Sequence, residues 1–338
     1  MSLVSVVIPN YNYARFLKQR IDSVLNQTYQ DIEIIILDDC STDESKEVIE
    51  AYRGEKRISH IIYNEQNSGT TFKQWRKGFD LAKGEFIWIA EADDYADPRL
   101  LEVLVGRMSN DKEIKVGFVN SNWVTPKQTF INNDYTIPQP LQVYDGKDFV
   151  HAHLLKENYI YNASMAVFRR DALSRIDHRY MSFRSCGDKL FWKSLAVQGK
   201  VLYVCEALNY FRIHDAKVTT NSIASGLLFE EENQFFHMNL QDGTISDYAT
   251  RIDVVQYYLK YIENAYRFVR DEISHSWDIK SEVVSRKASE VLINRTGICW
   301  TKSSLLAALL RANSRPSETS GRLAISAVDI FLKVYKIL

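Results

Sequence analysis

The sequence predicts an α/β protein: a doubly wound, mostly parallel sheet with helices on both faces, followed by a C-terminal helical appendage. Three observations predict it. Near-continuous apolar runs of strand length alternate with stretches of helical spacing through the first half, the pattern of strands covered on both faces. Polar and acidic residues follow three of those runs, at Pro9-Asn10-Tyr11, Asp38-Asp39 and Asp93-Asp94. After about Thr220 the strand signals give way to long helical patterns.

The elements follow in order. Residues 3–8, 32–37, 58–63 and 85–90 read as buried strands. Between the first two, Phe16, Leu17, Ile21, Val24 and Leu25 recur at helical spacing, and a second helix starts at Asp43 with Val48 and Ile49 inward. Phe72, Trp75, Phe79 and Ala82 form a third stripe, with Gly84 in the position of a C-cap. Asp97-Pro98 reads as an N-cap followed by proline at the first helical position. A strand at 116–122 is followed by a polar loop to about Gln142. Strand-like 163–169, a helix near 186–198 and strands at 201–205 and 208–213 complete the second half. The expected organisation is a domain over 1–220, with halves of about 1–115 and 116–220, and a helical region over 221–338. In that region helical patterns cover 254–269, 281–293 and 305–312. The last stretch, 323–338, is amphipathic with Lys333 and Lys336; it reads as a helix docked on its own domain or as a peripheral contact with a membrane or partner.

At 338 residues the chain has room for one large domain with an appendage, or for two domains. Its 46% hydrophobic and 25% charged residues fit a soluble globular protein. Lys and Arg number 42 against 43 Asp and Glu, a net charge of -1, which excludes a general attraction to nucleic acid. The cysteines Cys40, Cys186, Cys205 and Cys299 are scattered without metal-type spacing and read as free thiols in a reducing compartment. No secretory leader pattern precedes the first strand and no apolar run approaches the roughly 20 residues that span a bilayer, so the expected location is cytoplasmic.

Ligands of open parallel sheets bind at the carboxyl ends of the strands. With parallel strands, Asp38, Asp39, Glu91, Asp93 and Asp94 converge on one edge. Clustered carboxylates repel unless a cation or hydrogen-bond donors intervene, and a hard divalent ion also binds phosphate oxygens. The pattern therefore points to a metal-bridged polyphosphate. Plainer readings stand beside it. Residues 38–43 also read as a turn in which Asp43 caps the next helix, Asp93-Asp94 as a polar loop tip, and Trp75 and Trp88 as core.

The order Val-Ser-Val-Val-Ile-Pro-Asn-Tyr-Asn (4–12), Leu-Asp-Asp-Cys-Ser-Thr-Asp (37–43), Asn-Ser-Gly (67–69), Ala-Lys-Gly-Glu-Phe-Ile (82–87) and Glu-Ala-Asp-Asp (91–94) resembles the inverting family 2 glycosyltransferases with the GT-A fold. The resemblance covers about the first 215 residues, and residues 221–338 match no feature of that family. It implies that Pro9 and Tyr11 line the nucleobase and that Asp39 accepts a hydrogen bond from it. It implies a metal motif at Asp93 and Asp94, with Asp94 the firmer ligand and Asp93 also toward the nucleotide. Cys186-Gly187-Asp188-Lys189-Leu190-Phe191-Trp192 resembles the segment of the catalytic base, which makes Asp188 the candidate. Tyr210-Phe211-Arg212-Ile213-His214 resembles a segment near the diphosphate, with Arg212 as a contact and His214 as a further metal candidate. Two departures stand out: Glu91 occupies a place often held by aspartate, and Gln74-Trp75-Arg76 stands where many members have Ala-Arg-Asn.

The implied reaction is attack by an acceptor hydroxyl, deprotonated by Asp188, on the anomeric carbon from the face opposite the diphosphate, with Mn²⁺ or Mg²⁺ as cofactor. The donor expected is a UDP-sugar, then a dTDP-sugar, because both bases offer an imino N–H to Asp39. The expected acceptor is a saccharide or lipid-linked saccharide in bacterial surface polysaccharide synthesis, its pocket shaped by 123–142 and 158–164. A sugar-nucleotidyltransferase is the enzymatic alternative, but Pro9-Asn10-Tyr11-Asn12-Tyr13 lacks the glycine-rich loop expected of one. A catalytically silent nucleotide-sugar binding module is the other.

Overall fold

The computed structural model describes residues 2–132, 137, 139–214, 222 and 227–246, with the backbone of 274–275 and 296–297. The chain falls into two compact units, Met1–Asp215 and Ala216–Leu338.

The first unit is built on a ten-stranded sheet. Its left half is β3 (Ile58–Tyr63), β2 (Ile32–Asp38), β1 (Val4–Asn10) and β4 (Phe86–Ile89), side by side and all parallel. Every residue of β1, β2 and β4 is buried, as expected of strands covered on both faces. The connections are α1 (Ala14–Leu25), α2 (Ser45–Glu50) and α3 (Thr71–Leu81). Helix α1 buries Leu17, Ile21 and Val24, the expected stripe, and Arg20 with them.

Beyond β4 the direction breaks. The two-residue β5 (Tyr95–Ala96) and α4 (Leu100–Met108) lead to β6 (Ile114–Val124). A hairpin strand β7 (Thr129–Ile131), then β8 (Leu141–Asp145) and α5 (Gly146–His153), precede β9 (Ala166–Arg169), α6 (Gly187–Ala196) and β10 (Lys200–Arg212). Strand β9 runs antiparallel between β4 and β6, whereas β6 and β10 are parallel to each other. The sheet is therefore mostly parallel with a few reversed strands.

Several elements differ from the sequence expectation. The two strands expected over 201–213 are one 13-residue strand, β10, with register shifts between Val204 and Ala207 and again before Asn209; an irregular register disrupts an alternation pattern without ending the strand. The loop expected at 123–142 contains β7 and the start of β8. Strand β8 alternates exposed Leu141, Val143 and Asp145 with half-buried Gln142 and Tyr144, so it carries no apolar run to see. Helix α5 was likewise unexpected; Asp145 caps it by accepting from Lys147 N at 2.9 Å. Gly84 is not a C-cap, since α3 ends at Leu81 with Ala82 in extended backbone. Gly84 serves close approach instead, because a Cβ there would meet the backbone at the start of β1, Leu3 O and Ser5 N, at 2.6 Å. Helix α4 starts two residues later than the Asp97-Pro98 pattern implies, and Asp97 Oδ1 accepts from Arg99 N at 2.9 Å in the turn before it.

In the second unit the described elements are α7 (Leu227–Gln241) and a parallel pair of two-residue strands, β11 (Ser274–His275) and β12 (Thr296–Gly297). The helices expected at 254–269, 281–293, 305–312 and 323–338 lie outside the described residues. Among the described residues no helix is long and apolar enough to cross a membrane.

Candidate active site

The carboxyl ends of β1, β2 and β4 meet at one sheet edge. Asn10 and Asp38 are register partners there, and Asn10 Nδ2 donates to Asp38 Oδ1 at 2.7 Å. Asp38 Oδ2 also accepts from Ser41 N at 2.9 Å, so this carboxylate builds the turn after β2. Asp43 serves two helix starts, accepting from Ser45 N at 3.1 Å and Ala14 N at 2.9 Å. The turn reading of 38–43 therefore holds for Asp38 and Asp43. Cys40 within it and Asn12 beside it have φ of 66° and 58°, the left-handed region.

Asp39 has a different role. It is buried, and Asn64 Nδ2 (2.6 Å), Ser68 N (3.0 Å) and Gln74 Nε2 (2.8 Å) all donate to its Oδ1. Ser68 Oγ donates to Oδ2 at 2.7 Å. One carboxylate thus binds the segment after β3 and the start of α3 to the end of β2. A carboxylate offers about four acceptor sites, so a direct bond to a nucleobase competes with protein donors already in place. Pro9 is buried at the end of β1, while the Tyr11 ring is 45% exposed at the same edge. Arg76 turns away from the edge to pair with Asp80 at 2.6 Å, and Gln74 fills the inward place at this end of α3.

The acidic segment after β4 separates its carboxylates by partner. Asp94 is fully buried: Oδ2 accepts from Asn162 Nδ2 at 2.7 Å and Ser164 Oγ at 2.9 Å, and Oδ1 accepts from Arg212 N at 3.0 Å. The buried Arg20 guanidinium lies 4.0 Å from Oδ2, donates to the Glu91 carbonyl at 2.8 Å and to Ser164 Oγ at 3.0 Å. Burial, then Asp93 nearby, pushes the Asp94 carboxyl up to about 6 despite Arg20. Asp93 faces the other way, toward His214, with Oδ2 and Nε2 3.0 Å apart. The His214 ring lies against Tyr13 and Phe16, and its buried Nδ1 has no partner. Arg212 donates from Nε to the Asp93 carbonyl at 2.8 Å and from Nη2 to Gln19 at 2.7 Å, its guanidinium carbon within 4.6 Å of the Phe16 ring centroid and 5.2 Å of that of Tyr95. Glu91 Oε1 accepts from Trp75 Nε1 at 2.8 Å, and burial followed by Asp93 raises this carboxyl to about 8.

The expected ligands differ in the partners the fold gives them. Asp94, expected as the firmer metal ligand, has both oxygens bonded inside the fold, so it props the segment. Asp93 and His214 face each other instead, their side chains 16% and 9% exposed. His214 Nε2 and the Asp93 carboxylate, 3.0 Å apart, form a nitrogen–oxygen pair suited to a divalent first-row ion. Among the described residues no three His, Cys, Asp or Glu side chains gather to hold a metal alone.

Asp188 occupies the first turn of α6, where a carboxylate is favoured by the helix dipole, and its Oδ2 accepts from Asn158 Nδ2 at 2.8 Å. Gly187 admits the tight entry to this helix: a Cβ there would meet Tyr180 O at 2.5 Å and Phe72 Cε2 at 2.7 Å. Trp75 and Trp88 are core residues, as expected, at 2% and 0% exposure. Sequence reasoning missed Arg20, and marked Asn158, Asn162 and Ser164 only as part of the segment 158–164, without these contacts. Arg20 had a visible signal, a charge inside the apolar stripe of α1; the other three are short polar residues whose role exists only through long-range contacts.

A family model for glycosyl transferase family 2 matches residues 5–177. An uncharacterized glycosyltransferase of Nostoc sp., alr2836, is 30% identical over 256 residues, covering 74% of this chain and 76% of that protein. The poly(ribitol-phosphate) beta-N-acetylglucosaminyltransferase TarS of Staphylococcus aureus is 28% identical over 177 residues, which is 48% of this chain but only 30% of TarS. The crystal structure of TarS superposes with a TM-score of 0.59 at 15% identity, over 92% of this chain and 53% of that one. A mannosyltransferase from Pyrobaculum calidifontis, solved with GDP-Man and Mn²⁺, superposes with a TM-score of 0.53 at 14% identity, over 99% of this chain and 81% of that one. At these identities the two structures establish a shared fold, GT-A.

Proposed function

We propose that this chain, which belongs to glycosyl transferase family 2, moves a sugar from a nucleoside diphosphate sugar to an acceptor hydroxyl with inversion, with a divalent metal held by Asp93 and His214. The observation that carries this reading is the facing pair of Asp93 and His214 beside an Asp94 whose two oxygens are each bonded within the fold. Bound there, Mn²⁺ or Mg²⁺ supplies a Lewis acid for the charge that develops on the departing diphosphate.

The protein's own groups divide the remaining work. Arg212, fixed by the Asp93 carbonyl, Gln19 and two rings, is a preorganised cation next to that pair. Tyr11 offers an exposed ring for stacking on a base, and the Asp39 network holds the wall of the base pocket. Asp188, oriented by Asn158, takes the proton of the acceptor hydroxyl as its oxygen attacks the anomeric carbon opposite the diphosphate. Such base assistance contributes about 10²–10⁴-fold. One displacement inverts the carbon and needs no nucleophilic carboxylate.

UDP is the favoured nucleotide and dTDP the next. A TarS fragment solved with UDP-GlcNAc superposes with a TM-score of 0.51 and the mannosyltransferase solved with GDP-Man with 0.53, which together support a nucleoside diphosphate sugar as the donor. TarS, named for a poly(ribitol-phosphate) substrate, supports a role in surface polysaccharide synthesis with a saccharide or lipid-linked saccharide acceptor. A thermal-shift panel of nucleotides and nucleotide sugars with and without Mn²⁺ tests the reading. UDP should raise the melting temperature more with the metal than without it, by mass action. A chain stabilised by no nucleoside diphosphate would overturn the proposal. Asp188→Asn should retain UDP binding and lose at least about 100-fold in transfer; near-normal turnover removes Asp188 as the base.

A further inference from the structure

The two departures from the family pattern, Glu91 and Trp75, meet in one hydrogen bond. Trp75 Nε1 on α3 donates to Glu91 Oε1 at 2.8 Å, and the other Glu91 oxygen has no protein partner among the described residues. The ring that carries this N–H is 2% exposed and packs on α6, with centroids 5.5 Å from Phe191 and 6.4 Å from Trp192. It also meets Phe72 edge-on at 5.0 Å, and Phe72 in turn borders Gly187, the residue before Asp188. A single rigid side chain therefore touches both the acidic segment after β4 and the helix whose first turn holds Asp188.

We propose that Trp75 is a positioning residue: it couples Glu91, and through it the Asp93–His214 pair, to α6, so that the metal-side segment and the candidate base hold a fixed spacing. The physical warrant is geometric. A planar indole has two rotatable side-chain torsions, both locked here by packing, so a hydrogen bond from its edge transmits position. An inline displacement tolerates little error in that spacing, because a misplacement of about 1 Å can cost about 100-fold. Glutamate rather than aspartate at 91 supplies the extra methylene that reaches the indole. The inference rests on the transferase reading for what the two segments do, but the coupling itself is measurable without substrate.

Hydrogen exchange on the full chain tests it, read at residues 91–96 and at 189–193 of α6. Glu91→Asp withdraws the carboxylate and Trp75→Phe removes the N–H while keeping a ring. Each should speed exchange in both segments by up to about tenfold, the factor expected for one lost bond to a neutral carboxyl. Glu91→Gln keeps an acceptor oxygen and should stay within about twofold of wild type by the same reasoning. The double variant Trp75→Phe/Glu91→Asp should be no faster than either single one. Wild-type exchange at 189–193 in Trp75→Phe or Glu91→Asp overturns the coupling. Consumption of UDP-GlcNAc with Mn²⁺ separates positioning from mere stability. Trp75→Phe should lower kcat about tenfold with KM for the donor nearly unchanged, and an unchanged kcat beside faster exchange overturns the positioning role. A wild-type chain that consumes no nucleotide sugar instead refutes the transferase reading, while the exchange data still decide the coupling.

Discussion

Asp39→Ala is expected to cost about 3–5 kcal/mol of stability, worked as follows. Four donors converge on this carboxylate: Asn64 Nδ2, Ser68 N, Ser68 Oγ and Gln74 Nε2, at 2.6–3.0 Å. Hydrogen bonds to a charged group contribute about 1.5–3 kcal/mol each. Asn64 and Ser68 are half-buried and regain water when the carboxylate goes, so they return part of that. Gln74 is 3% exposed and keeps only its bond to Ser68 Oγ at 2.9 Å, so its bond to Asp39 is not replaced by water. Losing the Gln74 bond outright, with about 0.5 kcal/mol net at each of the other three donors, gives the stated range, a large share of the 5–15 kcal/mol typical of a folded domain. Asp39→Asn should cost about 2 kcal/mol, because its Oδ1 still accepts while its amide opposes Ser68 N–H. Urea unfolding followed by circular dichroism, with midpoints compared at a common slope, measures both. A loss below about 1 kcal/mol in Asp39→Ala would show that the network contributes little and that Asp39 is held for its ligand instead.

Three further predictions follow from individual contacts. Arg20→Met strips Asp94 of its buried counter-charge and should cost about 3–5 kcal/mol in the same urea assay; a loss under 1 kcal/mol would contradict the role given to Arg20. Gly187→Ala forces a shift at the start of α6 and should cost about 1–3 kcal/mol. It should also lower UDP-sugar turnover at least tenfold with UDP affinity retained, as kinetics and calorimetry would show. The pH dependence has a definite sign. Glu91 and Asp94 hold their protons more tightly folded than unfolded, at about 8 and about 6 against 4.5 and 3.8. Their contribution is complete below the unfolded values and is lost as pH rises through the folded ones. In chelator the melting temperature should therefore fall between about pH 5 and 8, and Glu91→Gln should flatten the upper part of that decline; a wild-type protein most stable at pH 8 would contradict the burial of these carboxyls.

The left half of the sheet was legible because β1, β2 and β4 are continuous apolar runs, a pattern that burial on both faces imposes directly on sequence. Strand β8 and helix α5 escaped notice because their exposed alternation and polar caps resemble a loop. The convergence of acidic residues on one edge was also legible, since it follows from parallel strands alone. Which of two adjacent aspartates turns inward was not. That choice is made by Asn162, Ser164 and the backbone N–H of Arg212, all at least 68 residues away along the chain. Asp39 shows the same limit: its motif marks the site, yet Ser68 and Gln74 decide how much of the carboxylate remains for a ligand.

Calorimetric titration of UDP, with and without Mn²⁺, into wild type, Asp93→Asn, His214→Ala and Asp94→Asn addresses the metal seat most directly. Wild type should bind UDP at least about tenfold more tightly with the ion, a coupling of about 1.4 kcal/mol. Asp93→Asn and His214→Ala should each remain folded and lose that gain, whereas Asp94→Asn should be marked chiefly by lowered stability. A metal-dependent gain that survives in both Asp93→Asn and His214→Ala would place the ion elsewhere.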